Sequence, residues 1–249
     1  MIQLNKIYNE DCLEGMKKIA DQSIDAIICD LPYGTTACSW DTILPFDLLW
    51  EQYQRIIKSK GAIVLFGAEP FSTQLRLSNF QNYKYDWYWI KNIATGFTFA
   101  KTQPMRSVET ISVFSFQTPH YYPQGLERIK GLKPTIRKPS EDRIYSAEGL
   151  SGKKYIQEYT GYPNNILRFD KESKWGFHPT QKPVALLEYL VKTYTKENEI
   201  ILDNCMGSGT TAIACLNTNR QFIGFETNIE YYQKAVERIE TNVTQLNLF

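Results

Sequence analysis

A run of apolar residues that ends in an acid and passes through two glycines into a helix admits few folds, and this 249-residue chain carries one near its carboxyl end. Glu199-Ile200-Ile201-Leu202-Asp203 reads as a buried strand, Asn204-Cys205-Met206-Gly207-Ser208-Gly209 as a tight turn, and Thr210-Thr211 as the lead into a helix over Ala212–Leu216. Glycine lets backbone approach a ligand closely, and the first N–H groups of the helix face that ligand. Strand, glycine turn and helix form a nucleotide-type cradle at the carboxyl edge of an open α/β sheet. The next strand, Gln221–Phe225, ends at Glu226, nineteen residues past Gly207, where an acid can accept from both hydroxyls of a ribose.

A second strand ends in the same way near the amino terminus. Ile24-Asp25-Ala26-Ile27-Ile28-Cys29 stops at Asp30-Leu31-Pro32-Tyr33, leaving one carboxylate, one backbone carbonyl at Leu31 and one aromatic face at a sheet edge. Pro32 fixes its own φ and donates no hydrogen bond, which makes the turn rigid. This set suits an exocyclic amine on a nucleobase. Its lone pair is delocalised into the ring, and two acceptors taking its two hydrogens, Asp30 and the Leu31 carbonyl, favour the reactive geometry. Tyr33 supplies a ring on which a flipped base can stack. An ordinary strand-to-loop turn is the plainer reading of these four residues alone.

Between the motifs, strands and helices alternate. Ile2–Tyr8 reads as a strand and Asn9-Glu10-Asp11-Cys12 as the cap of a helix with Leu13, Met16 and Ile19 inward, which makes Asp11 an N-cap. A helix from Phe46 to Ile57, a strand Gly61–Phe66, a helix near Phe71–Leu77 and strands Tyr85–Ile90 and Thr110–Phe114 follow. This pattern predicts a mostly parallel twisted sheet flanked by helices. From Thr118 to Trp175 prolines and glycines punctuate the chain and periodicity disappears. Within it Arg128, Lys130, Lys133, Arg137, Lys138, Arg143, Lys153 and Lys154 outnumber three acids, a local excess of five positive charges. Those charges read either as a solvated loop or as a phosphate-contacting insertion. Helical spacing returns at Leu186, Leu187, Leu190 and Val191.

Composition narrows the function. A net charge of +1 excludes a uniformly cationic coat, so a nucleic-acid surface must be a local patch. Five cysteines without a Cys-x-x-Cys pair argue against a disulfide framework and a zinc site, and two histidines outside any ligand spacing leave no metal expected. The amino terminus lacks a signal-peptide pattern and no segment is long enough to span a membrane, so a cytoplasmic protein without membrane contact is expected. Gly207-Ser208-Gly209-Thr210-Thr211-Ala212 also fits the Gly-x-Gly-x-x-Ala dinucleotide fingerprint. Against an NAD-dependent enzyme stand the short chain beyond Glu226, too short for a second mononucleotide half, and Asp203, which repels a pyrophosphate. No Gly-Lys-Ser/Thr follows the turn, so a P-loop is excluded.

With both motifs present, the chain resembles the amino-directed DNA methyltransferases that use S-adenosylmethionine. Asp30-Leu31-Pro32-Tyr33 resembles their Asp/Asn/Ser-Pro-Pro-Tyr motif, and Asp203–Thr211 resembles their Asp-Pro-Phe-x-Gly-Ser-Gly-Thr-Thr cofactor loop. The order, catalytic motif, insertion, cofactor loop, is that of the β group. His178-Pro179-Thr180-Gln181-Lys182-Pro183 is similar to the segment preceding that group's cofactor loop. Leu31 and Asn204-Cys205 depart from the pattern, the latter removing a ring that packs near the cofactor.

The resemblance implies transfer to adenine N6 in DNA, with N4 of cytosine or a catalytically silent DNA-binding module as alternatives. It implies catalytic roles for Asp30, Leu31, Pro32 and Tyr33. The cofactor would meet Asp11 and Cys12 near its adenine, Glu226 at its ribose and Asp203 at its amino group. Asp30, His178, Thr180, Lys182, Asn204, Gly207, Ser208, Gly209, Thr210, Thr211, Thr227 and Asn228 complete the implied set. It divides the chain into a catalytic half (1–117), a target-recognition insertion (118–175) carrying the basic residues above, and a cofactor half (176–249). DNA is the implied partner, and a homodimer and a cognate restriction endonuclease are further partners it allows.

Overall fold

The structure, a computed structural model, describes residues 2–35, 41–131, 134–136, 154–170 and 181–246. Two compact units form, one from Met1–Tyr122 with Asn165–Phe249, the other from Pro123–Asn164. The first begins β1 (Lys6–Tyr8), α1 (Cys12–Met16), β2 (Ile24–Cys29), α2 (Phe46–Ile56), β3 (Ile57–Gly67), α3 (Phe71–Ser78), β4 (Tyr83–Thr95) and β5 (Arg106–Phe114). The smaller unit holds two antiparallel pairs, β6 (Glu127–Arg128) with β9 (Tyr159–Thr160), and β7 (Thr135–Ile136) with β8 (Lys154–Tyr155). The chain then returns with β10 (Ile166–Arg168), α4 (Val184–Tyr194), β11 (Ile200–Asp203), α5 (Thr210–Asn217), β12 (Gln221–Phe225) and α6 (Ile229–Leu246).

One eight-stranded sheet runs β1-β12-β11-β2-β3-β5-β4-β10. Every pairing in it is parallel except those of β5, which is antiparallel to β3 and β4. This is the α/β architecture that the alternation predicts. Apolar residues cover both sheet faces, which is why the central strands read as unbroken apolar runs. On β2, Ala26 and Ile28 join a core with Leu186, Leu190, Ala212 and Cys215, while Ile24, Ile27 and Cys29 join one with Met16, Leu49, Tyr53 and Phe225. α2 buries Leu49, Trp50, Tyr53 and Ile56 on one stripe, and each such side chain removed from water contributes about 1.5–3 kcal/mol.

Several bounds change, with β3, β4 and β5 running longer than the predicted Gly61–Phe66, Tyr85–Ile90 and Thr110–Phe114. The first strand starts at Lys6 rather than Ile2, because Asn5 takes a left-handed φ of 57° that interrupts extended backbone. β10 lies inside the stretch without periodicity and pairs with β4 through Ile166, Leu167 and Arg168. Three residues are too few to show a period of two. Among the described residues no helix is long and apolar enough to cross a membrane.

Candidate active site

β11 pairs with β2, Ile201 beside Ala26 and Leu202 beside Ile27, so Asp203 at the end of β11 and Asp30 just past β2 emerge at one carboxyl edge. A cavity of about 720 Å³ opens there, lined by Asp30, Leu31, Pro32 and Tyr33 together with Asp203, Asn204, Gly207, Ser208, Thr210 and Thr211. Asp11, Cys12, Lys182, Glu226 and Thr227 line it as well. Two motifs more than 170 residues apart in sequence thereby share one space.

At Asp30 the Tyr33 hydroxyl donates to Oδ1 at 2.6 Å and the Lys182 ammonium donates to Oδ2. Lys182 Nζ also lies 3.4 Å from Glu109 Oε2, and Lys91 Nζ donates to Glu109 Oε1 at 3.0 Å. The result is an alternating chain of charges, Asp30, Lys182, Glu109, Lys91, largely removed from water. Burial raises the Asp30 carboxyl above its ordinary value, against the pull of Lys182. Burial disfavours the Lys182 charge, but Asp30 and Glu109 outweigh it and the ammonium is held above the ordinary lysine value. Glu109 is resisted by burial yet held below its ordinary value by Lys182 and Lys91. One face of the Tyr33 ring stacks on Phe71, centroids 5.0 Å apart. The loop after Pro32 is fixed by Asp41, whose carboxylate accepts from the backbone N–H groups of Tyr33, Gly34 and Thr35 at 2.7, 2.9 and 2.9 Å.

The glycine turn is held from several sides. Asp203 accepts from the Thr211 hydroxyl at 2.6 Å and the Cys205 N–H at 3.1 Å, and burial pushes its carboxyl up to about 6. Glu226 accepts from the N–H groups of Gly207 and Asn228, both at 2.8 Å, so the acid expected at a ribose also ties the turn to the end of β12. Arg238 of α6 donates to the Ser208 carbonyl at 3.0 Å and the Thr210 hydroxyl at 3.1 Å. Gly209 stands at φ 78°, and a Cβ there would lie 3.2 Å from the Ala235 methyl; it caps α5 and does not line the cavity. Asn228 likewise lies outside the lining, accepting instead from the N–H groups of Glu230 and Tyr231 at the start of α6. Asp11 caps α1 through the N–H groups of Leu13 and Glu14 and lines the cavity as well. Where the resemblance loses a ring, Asn204 is buried and accepts from the Tyr53 hydroxyl at 2.5 Å, its amide reaching the Cys12 and Cys205 sulfurs at 3.7 and 3.5 Å.

His178 and Thr180 lie outside the described residues, as do Lys133, Arg137, Lys138, Arg143 and Lys153 and the side chain of Lys154. Arg128 and Lys130 are exposed in the smaller unit. Glu109, Lys91, Asp41 and Tyr53 enter the site without having been singled out. Glu109 and Lys91 carry no local signal, since each sits in a strand where a charged residue reads as a solvated position. Asp41, eight residues past Tyr33, carries a weak signal, because acids in loops accept from nearby backbone N–H groups.

Residues 24–237 match the DNA methylase family of N6- and N4-directed enzymes. The type II methyltransferase M1.MboII of Moraxella bovis is 28% identical, over 94% of this chain and 96% of its own length. The crystal structure of an M1.HpyAVI–SAM complex superimposes with a TM-score of 0.61 at 26% identity, covering 94% of this chain and 98% of that one. The cytosine-N4-specific PvuII DNA methyltransferase shares the fold with a TM-score of 0.66 at 16% identity, covering 96% and 91%. A match that contains both acid-ended strands, the glycine turn between β11 and α5, and nearly every wall of the cavity leaves one assignment: the chain belongs to the DNA methylase family and is a DNA methyltransferase.

Proposed function

We propose that this DNA methyltransferase methylates the exocyclic N6 amine of adenine. The observation that carries this reading is the Asp30 carboxylate, at the cavity wall beside Leu31 and Pro32 and oriented by Tyr33 and Lys182. An ionised carboxylate accepts a hydrogen of the amine and favours its reactive geometry. Asp at this position accords with the adenine-directed members that the motif resembles, whereas serine is commoner in the N4 members.

S-adenosylmethionine is the methyl donor. The residues present fit it: two carboxylates, Asp203 and Glu226, meet the cavity at separate points, and Gly207 presents backbone without a side chain. The N-cap of α5 is Gly209, which has no side chain to hydrogen-bond to the first-turn N–H groups. Asp203 would hold the amino group, Glu226 the ribose, and Asp11 and Cys12 the adenine. When bound, the cofactor supplies an electrophilic methyl group; the chain orients the amine and excludes water. Residues 118–175 serve as the target-recognition insertion, a reading supported by the exposed Arg128 and Lys130.

Unmethylated plasmid incubated with labelled cofactor and digested to nucleosides tests the proposal. Labelled 6-methyladenine is expected, and Asp30→Ala should abolish it while cofactor affinity stays near wild type. Label in 4-methylcytosine refutes the base assignment. Near-normal turnover of Asp30→Ala refutes the role of Asp30, and no label from the wild-type protein refutes methyl transfer itself.

A further inference from the structure

The β4–β5 hairpin reaches past the sheet at the mouth of the same cavity. Thr95 and Arg106, its last paired residues, both line the cavity, and the ten residues beyond their pairing form the tip. That tip is ordered by its own bonds. Gly96 turns with φ 90°, Phe97–Phe99 make a single 3₁₀ turn, and the N–H groups of Thr102 and Gln103 donate to the Phe99 carbonyl at 2.9 and 3.0 Å. Yet it buries almost nothing. Phe97 is 81% exposed and Phe99 55%, and Met105 and Val108 are exposed beside them. Large apolar groups clustered in water mark a surface with a partner.

Charge and position say which partner. From Trp87 to Val108 the chain contains no acid, and among the described residues neither Lys101 nor Arg106 has a carboxylate partner. Unneutralised cations flanking exposed aromatics fit a polyanion that also offers flat apolar faces. A target amine inside a duplex cannot reach a cavity in the protein unless its base leaves the stack. Leaving it opens a gap whose unstacking costs a few kcal/mol and which apolar wedges fill in other proteins. An aromatic ring next to the cavity mouth can fill that gap and lower the cost.

Resting on the reading of the cavity as a base pocket, we propose that the tip of the β4–β5 hairpin enters duplex DNA, with Phe97 in the place vacated by the target base and Lys101 and Arg106 on flanking phosphates. The hairpin then acts on extrusion of the base and leaves methyl transfer to the residues at Asp30.

Two measurements test this. First, Phe97→Ala should lower kcat/KM on unmethylated duplex plasmid on the order of tenfold, equivalent to about 1.4 kcal/mol. Phe97→Tyr should restore it, with melting temperature and cofactor affinity unchanged in both. An unchanged kcat/KM in Phe97→Ala overturns the proposal. Second, a photoreactive benzoylphenylalanine in place of Phe97 should cross-link to mixed-sequence duplex DNA, less so after Lys101→Gln/Arg106→Gln. Absence of a DNA adduct overturns the proposal, as does cross-linking only to a second copy of the chain, which would make the tip an oligomer contact. Cross-linking of the benzoylphenylalanine protein to DNA, beside a wild-type protein that transfers no methyl group, would instead refute the proposed function and leave the hairpin's contact standing.

Discussion

Replacing Lys182 with methionine should move the acid limb of the pH profile to higher pH. Asp30 faces Tyr33, Lys182 and Glu109, with Cys29 and Asp203 nearby. Burial and Glu109 both favour its protonated form, and Lys182 is the cation that opposes them. An opposite charge in direct contact favours an ionised carboxylate by about 1.4–4 kcal/mol. Losing it should therefore lower the ionised fraction on the acid limb by roughly tenfold to a thousandfold. The ionised Asp30 carboxylate is a much stronger acceptor for the amine than its protonated form, so activity falls as pH drops through its pKa, and a higher pKa shifts the loss upward. Glu109→Gln has the opposite sign, since it removes a negative charge facing Asp30 and leaves Lys182 to it. Lys182→Arg should keep the wild-type profile. Breaking a buried pair costs about 3–5 kcal/mol, and because the Asp30 side chain is 28% exposed the lower end is expected for Lys182→Met. The assay is kcat/KM for methyl transfer against pH, with thermal unfolding measured alongside. An acid limb that stays put in Lys182→Met, or that moves the same way in both variants, refutes the argument.

Tyr53→Phe should destabilise the protein by about 1–3 kcal/mol in denaturant titration, because the buried Asn204 Oδ1 loses the hydroxyl that donates to it. Binding of S-adenosylmethionine, followed by calorimetry, should weaken as pH falls through about 6, where Asp203 takes up a proton and can no longer neutralise an ammonium; a flat profile from pH 5 to pH 8 would remove Asp203 from that role. Glu226→Ala should weaken cofactor binding by about 1–3 kcal/mol, and unchanged affinity would leave Glu226 with only its hold on Gly207 and Asn228. Neutralising Lys133, Arg137 and Lys138 together should flatten the dependence of DNA affinity on salt while leaving cofactor binding alone, and an unaltered slope would mark them as solvated loop charges.

What could be read from the sequence is what local chemistry dictates. β2 and β12 run over the residues that their apolar runs predict, Ile24–Cys29 and Gln221–Phe225, because a strand buried on both faces has no other way to be written. The glycine turn, its acids and the Asp-Leu-Pro-Tyr turn are legible for the same reason: each needs particular residue types at fixed spacing. The tertiary structure alone placed β11 next to β2, and so Asp30 and Asp203 on one cavity, since strand order carries no local signature. It also set Glu109 and Lys91 behind Lys182. A charged residue on a strand looks the same in sequence whether it faces water or completes a buried ion chain, and the packing of β4, β5 and the segment before α4 decides which.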